Sequence, residues 1–351
     1  VKPEKKHFRR ELTSAFLEAA SKKKTHSLLG ALLKIAEKIR SEILLPASQA
    51  LDSIEIERKD TGDGRGADAK TLTIKTDNEC EKAAEEGLRK AFPDAVILGE
   101  EKFSAADDAE KFRLMQEAVT SDRLVFLVDA LDATRDFRGG GDGYAVMITA
   151  LQHNKVKAAI AYRCTDHADP DAFGHTLTVA EDDRVRLDGR AMRNLSERGF
   201  PAAPEKIRGY AGFEFIAAMQ EKSGGKFPDL SGKFDSLSDC WTCSKLYADL
   251  LKGDHHFMLV PPPADLFDYP AGIALIEKAG GVVRFLDGMP ASFPEIIRRQ
   301  PYGGDPEAGR SIDNTLIFAV SEEVYAAVQK TIRAALAPQP RPKHPAPPRS
   351  E

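Results

Sequence analysis

Four cysteines in 351 residues are too few to form a disulfide framework. Cys80, Cys164, Cys240 and Cys243 fit a reducing compartment, so a cytoplasmic location is expected. No run of ~18 apolar residues occurs, which excludes a membrane-spanning helix. Positive charge is not in excess. Fifty Lys and Arg stand against 55 Asp and Glu, a net charge of −5, and the sequence pI is about 6.0. That balance excludes a chain built around a nucleic acid polymer. Val1 to Lys24 is basic, is interrupted by Glu4, Glu11 and Glu18, and lacks the apolar stretch of a secretory signal. No internal repeat is visible. What the chain does have is 42% hydrophobic residues, enough for a large core. At roughly 100–200 residues per domain, the length suits one large domain or two modest ones.

Periodicity divides the chain into four parts. Residues 1–25 read as a basic arm. Residues 26–163 read as an N-terminal α/β subdomain and 164–336 as a C-terminal one. Residues 337–351 form a tail, expected to be disordered, in which six of the 21 prolines fall between Pro338 and Pro348. Leu28, Leu29, Leu32, Leu33, Ile35, Ala36, Ile39 and Ile43 predict an amphipathic helix from His26 that Pro46 ends. Lys59 to Lys70 is glycine-rich and reads as a mobile loop between strands at 53–58 and 71–75. Helices are expected at 78–91, 104–122, 213–222, 237–251, 268–279 and 322–336. A hairpin is expected to turn at His153-Asn154, and a further one around 176–185. The apolar run Leu124 to Val128 reads as a strand covered on both faces.

Three acidic clusters follow apolar strands or open a helix. They are Gly99-Glu100-Glu101, Asp129 to Phe137, and Asp265 to Gly272. Strand ends in layered α/β folds are where ligands bind. Carboxylates gathered there repel one another unless a cation neutralises them. Mg²⁺ prefers such hard oxygen ligands. Asp129 and Asp132, with the Leu131 carbonyl between them, offer three oxygens on one turn, and Glu100 and Asp268 complete two adjacent sites. Ala133 and Thr134 open a short helical turn whose N–H groups suit a phosphate. The parts suit attack of a metal-activated water on a phosphate ester, without a covalent intermediate. Each cluster alone also has a plain structural reading: a solvated Glu-Glu, an Asx turn at Asp129, a helix cap at Asp268.

The order of the three clusters resembles the lithium-sensitive sugar-phosphatase superfamily, which contains inositol monophosphatase and fructose-1,6-bisphosphatase. The family pattern is Gly-Glu-Glu, Asp-Pro-Ile/Leu-Asp-Gly-Thr/Ser-x-x-Phe, Trp-Asp-x-Ala-Ala-Gly and Glu-Ala-Gly-Gly. It is matched by Gly99 to Glu101, Asp129 to Phe137, Phe267 to Gly272, and Glu277 to Gly281, with Lys75-Thr76-Asp77 upstream. The resemblance implies a five-layer αβαβα sandwich and a homodimer. It implies a first metal held by Glu100, Asp129 and the Leu131 carbonyl, and a second held by Asp129, Asp132 and Asp268. A weaker third ion falls to Asp77 and Glu100. By the same resemblance, Thr134, with Glu100 or Asp77, is expected to activate the water, and the N–H groups of Ala133 and Thr134 to hold the phosphate. The resemblance further implies Mg²⁺ as the cofactor, as two or three ions, and a small phosphorylated metabolite as the partner.

Three residues depart from the pattern: Ala130 stands for Pro, Ala133 for Gly and Phe267 for Trp. If residue 133 takes a positive φ, alanine there costs on the order of 1 kcal/mol. The family's inositol-selective acidic residue has no counterpart in Met258 to Asp265, so inositol phosphate is not favoured. A 3′(2′),5′-bisphosphate nucleotidase, a histidinol-phosphatase-like enzyme and a non-catalytic binding protein of the same fold are the alternatives. Cys240-Trp241-Thr242-Cys243 has redox spacing but lies in an expected helix. His255-His256 reads as strand-edge surface.

Overall fold

The computed structural model describes residues 26–49, 56–58, 72–134, 137, 143–164, 176–180, 183–201, 203–211, 216–217, 220, 230, 232–238, 242–260, 266–300 and 311–337. The basic arm, the loop 59–70, most of the expected 213–222 helix and the proline-rich tail lie outside these residues.

Helix α1 (His26–Ile39) buries Leu29, Leu32, Leu33, Ala36 and Ile39 along one stripe, as its spacing requires. It does not stop at Pro46. A wide π turn over Arg40–Leu44 leads into α2 (Leu45–Gln49). The π turn resets the hydrogen-bond ladder, so Pro46 enters at the start of a new helical segment, where a missing N–H is tolerated. Strands β1 (Ile56–Arg58) and β2 (Leu72–Ile74) pair antiparallel. Helix α3 (Lys75–Ala91) begins three residues earlier than periodicity indicates, which puts Asp77 in its first turn. The expected 104–122 helix is two helices, α4 (Glu100–Ala105) and α5 (Asp108–Thr120). They are separated because the Asp107 side chain accepts from the Glu110 N–H at 2.8 Å and starts a new helix.

A seven-stranded sheet follows in the order β3 (Val96–Gly99), β4 (Val125–Asp132), β5 (Ala145–Gln152), β6 (Lys155–Arg163), β7 (Leu177–Ala180), β8 (Arg186–Leu187) and β9 (Arg190–Ala191). It runs on past residue 163, so the change of sheet falls after Ala191. The β5–β6 hairpin turns at His153 and Asn154, with φ of 52° and 61°, as a two-residue turn of this twist requires. A five-stranded sheet has the order β11 (Ser236–Ser238), β10 (Arg208–Tyr210), β12 (Phe257–Val260), β14 (Leu316–Ala319), β13 (Val282–Phe285). The expected 237–251 helix is therefore a strand followed by α6 (Cys243–Lys252). Helices α7 (Tyr269–Lys278), α8 (Phe293–Arg298) and α9 (Glu322–Leu336) complete the set used below.

The layering follows from the two faces of β4. Phe126, Val128 and Ala130 pack with α1 and α3, whereas Val125 and Leu127 pack inward with α6, α7 and the second sheet. Helix α7 touches β5, β6 and β7 of the large sheet and β13 and β14 of the small one. Helix α9 covers the far side of the small sheet with Val324, Tyr325, Val328 and Ile332. The order is helix, sheet, helix, sheet, helix, the layered α/β sandwich expected. No described helix is long and apolar enough to cross a membrane.

His255 and His256 are not a surface edge. His256 is buried, and its Nδ1 accepts the Arg208 N–H at 3.1 Å. His255 stacks on Tyr210 with ring centroids 3.9 Å apart. Both precede β12 where it enters the small sheet, which buries His256 and leaves His255 half-buried. Burial holds both imidazoles below the ordinary histidine pKa.

Candidate active site

Strand β4 carries the centre of the site. Its pairing with β5 slips between Asp129 and Asp132: Asp129 faces Met147 and Asp132 faces Ala145, three steps against two. The extra residue is a β-bulge, and it reverses the alternation of faces. Asp132 therefore comes onto the same inward face as Asp129, Leu127 and Val125. Ala130 and Leu131 both pack on the opposite face, with α1 and α3. A regular strand would have turned the two aspartates apart.

Both aspartates are buried. Asp129 Oδ1 accepts the Leu131 N–H at 3.0 Å, closing an Asx turn that leaves the Leu131 carbonyl at the bulge. The Ser244 N–H, in the first turn of α6, lies 3.3 Å from Asp132 Oδ2. The Asp129 carboxyl is pushed well above the usual carboxylate range, first by burial and then by the charges of Glu100, Asp268, Asp132 and Asp77. Those four carboxylates come from four separate elements, and the charge of each acts on Asp129. Asp268 precedes α7 yet makes no side-chain cap bond, so the cap reading of this residue does not hold.

Thr134 joins the second half of the site. Its Oγ1 lies 3.1 Å from Asp77 Oδ2 and 3.0 Å from the Leu131 carbonyl. A helical turn opens here, with the Phe137 N–H donating to the Ala133 carbonyl at 3.0 Å. Ala133 has φ of 66°, the left-handed conformation that glycine adopts at no steric cost. The structure thus brings together Asp77, Glu100, Asp129, Leu131, Asp132, Ala133, Thr134 and Asp268. Asp265, Arg135 and Asp136 lie outside the described residues.

Supporting residues that pattern reading passed over hold these groups. Glu81, one turn after Asp77 on α3, accepts the N–H groups of Glu101 and Lys102 at 2.6 and 3.2 Å. Burial pushes its carboxyl up, and those two bonds oppose the shift. Tyr247 Oη donates to the Asp268 carbonyl at 3.1 Å, and its ring lies where a Cβ on Gly272 would stand. Phe267, in place of the family tryptophan, is buried edge-on against Phe103 at 5.4 Å, so it still ties the start of α7 to α4. The i, i+4 spacing of Asp77 and Glu81 was the visible signal for Glu81. Nothing in the sequence marked Tyr247.

The inositol monophosphatase family profile matches residues 26–330. The chain belongs to the inositol monophosphatase family. Among curated relatives of this family, a putative Nus factor SuhB of Neisseria meningitidis serogroup B is 21% identical over 252 residues, covering 70% of this chain and 83% of its own. A fructose-1,6-bisphosphatase/inositol-1-monophosphatase of Thermotoga maritima is 22% identical over 232 residues, covering 64% and 75%. Among solved structures, the extragenic suppressor protein SuhB of Bartonella henselae superposes with a TM-score of 0.62 at 16% identity, covering 87% of this chain and 98% of that one. The inositol monophosphatase of Thermotoga maritima gives 0.59 at 17%, covering 86% and 95%. At these identities the superpositions establish the inositol monophosphatase fold.

Proposed function

We propose that this family member is a Mg²⁺-dependent phosphomonoesterase acting on a small phosphorylated polyol, sugar or related metabolite. The observation that carries the reading is the bulge that sets the buried Asp129 and Asp132 on one face, with Thr134 bridging Asp77 and the Leu131 carbonyl beside them. Carboxylates grouped in this way fit hard divalent cations, with Glu100, Asp129 and the Leu131 carbonyl on one and Asp129, Asp132 and Asp268 on another. Bound there, the cations supply charge neutralisation for the phosphate and a lowered pKa for water.

The chain's own groups supply the rest. Thr134 Oγ1, donating to Asp77 Oδ2, accepts from the attacking water and orients it. Asp77 or Glu100 takes up the proton. The Ala133 and Thr134 N–H groups at the start of the helical turn face the phosphate oxygens. The carboxylates of this group are assigned to the cations, which leaves metal-activated water as the nucleophile and favours direct hydrolysis. The sequence Met258 to Asp265 has no match, at the usual spacing, for the acidic residue by which the family selects inositol, which favours substrates other than inositol phosphate. A cytoplasmic homodimer sensitive to Li⁺ is part of the same reading and rests on the family.

The test is phosphate release across inositol 1-phosphate, fructose 1,6-bisphosphate, histidinol phosphate and adenosine 3′,5′-bisphosphate, with and without Mg²⁺ and Li⁺. Release that requires Mg²⁺ and is lost in Asp129→Asn and Asp268→Asn is the expected result, and preference within the panel separates the sugar, nucleotidase and histidinol branches. Full activity in either variant sinks the metal assignment. The relatives named as putative Nus factors favour a second reading, a protein that binds a macromolecular partner. It predicts no turnover on any substrate by a folded protein that binds Mg²⁺.

A further inference from the structure

The second cation position has a donor that the carboxylate pattern does not include. Cys243 is the first residue of α6 and is buried. A ligand atom from each of Asp132, Cys243 and Asp268 lies within 4.8 Å of the other two. Two donors of one zinc ion, with bonds of about 2.3 Å to sulfur and 2.1 Å to oxygen, stand on the order of 3.5 Å apart. A small side-chain adjustment therefore brings all three onto one ion. The backbone already sets the register, because the next residue's N–H, that of Ser244, points at Asp132 Oδ2. The thiol thus faces the carboxylates that the metal-dependent reading assigns to a cation.

We propose that Cys243 is a sulfur ligand at the position held by Asp132 and Asp268, so that this site takes thiophilic divalent ions, such as Zn²⁺ and Co²⁺, as well as Mg²⁺. The inference rests on the metal-dependent reading of the site and adds a donor to it. Mg²⁺ bonds to oxygen and gains little from sulfur, whereas Zn²⁺ and Co²⁺ bond well to thiolate. On binding, the sulfur–metal bond forms as the thiol proton leaves to solvent. Zn²⁺ also outranks Mg²⁺ for almost any shared donor set, and a sulfur ligand widens that gap. The consequence is a site in which traces of Zn²⁺ displace Mg²⁺ from one of its two positions.

The test uses the full chain, stripped of metal, titrated with Co²⁺ and followed by absorption. Wild type is expected to develop a thiolate-to-cobalt charge-transfer band in the near ultraviolet together with visible d–d bands. Cys243→Ser is expected to lose the charge-transfer band while still binding Co²⁺, which separates Cys243 from the other three cysteines. By calorimetry, Cys243→Ala is expected to weaken Zn²⁺ by about tenfold or more and Mg²⁺ by no more than about twofold, as donor softness requires. Melting curves of both variants check folding, and two different replacements guard against a packing defect in one of them. Co²⁺ binding without a charge-transfer band in wild type, or a band that persists in Cys243→Ser, overturns the cysteine assignment and leaves the metal site standing. A folded wild type that binds neither Co²⁺ nor Mg²⁺ overturns the metal-dependent reading itself, and this inference with it. Asp268→Asn is the control expected to weaken both ions.

Discussion

The Glu81 carboxylate closes the N-terminus of the helix that Glu100 begins: its Oε2 accepts the Glu101 N–H at 2.6 Å and its Oε1 the Lys102 N–H at 3.2 Å. Asp77 and Glu81 are successive turns of α3, so one helix carries a site carboxylate and fixes the backbone that presents another. Gly99 has to lack a side chain for this, since a Cβ there would stand 2.2 Å from the Glu81 carboxyl carbon.

Glu81→Ala should therefore act on both stability and metal use. Loss of a helix cap costs about 1 kcal/mol, and loss of a group supporting a ligand typically weakens metal affinity by about 10- to 100-fold. Glu81→Gln, which keeps one acceptor, should fall between. Urea denaturation and Mg²⁺ calorimetry measure the two effects. Unchanged Mg²⁺ affinity in a folded Glu81→Ala would limit Glu81 to a structural cap.

Ala133 is the one site residue in the left-handed region. Alanine costs about 1–2 kcal/mol there, and glycine gives back about 0.4–1 kcal/mol through the unfolded chain. Ala133→Gly should be neutral to stabilising by up to about 1 kcal/mol and should lower KM for the phosphate ester by clearing its approach. Ala133→Val should destabilise, because a branched Cβ fits this conformation worse. Denaturation midpoints and steady-state kinetics on the pair decide the point.

The raised Asp129 pKa links the site to pH. In the metal-free protein, a carboxyl raised above its unfolded value contributes stability at low pH that is lost as pH rises through the folded pKa. Metal-free protein should thus be strained near neutrality, and Mg²⁺ should relieve it. At 100 times Kd, one bound ion stabilises by about 2.7 kcal/mol. The gain in Tm from Mg²⁺ should shrink on going from pH 7.5 to 5, as protons compete for the same oxygens. An equal Mg²⁺ effect at both pH values would contradict this.

The two histidines before β12 give the opposite sign. His255 and His256 have folded pKa values held below 6.5, so the unfolded state takes up protons first. Stability should be full above pH ~6.5 and fall as pH drops through that value toward the lower folded pKa. Protonated His256 also ceases to accept the Arg208 N–H. Urea curves at pH 7.5 and 5.5 should show the loss, and His256→Gln should flatten it.

Tyr247→Phe removes the bond to the Asp268 carbonyl and keeps the ring against Gly272. About 1 kcal/mol of stability should go with it, together with a measurable weakening of Mg²⁺ binding. Gly272→Ala should be worse, because its Cβ would stand 2.1 Å from the ring. Thermal melts and calorimetry on both variants rank them.

The sequence by itself determined much of the element order and the residue types of the site. Helical spacing in α1, the fully buried run of β4 and the turn at His153-Asn154 are local properties, written in side-chain period and backbone preference. The residue types in the three acidic clusters, and their order, carry the family pattern without reference to distance. What only the tertiary structure decided was relative placement. The bulge that turns Asp132 onto the face of Asp129 depends on the pairing of β4 with β5. The splitting of the 104–122 helix depends on the local cap at Asp107, and the continuation past Pro46 on a π turn that periodicity does not reveal. The roles of Glu81, Tyr247 and Cys243 depend on contacts 20 or more residues away in the chain. Such contacts are set by how two sheets and their helices stack, and a one-dimensional pattern holds no record of the distances that stacking creates.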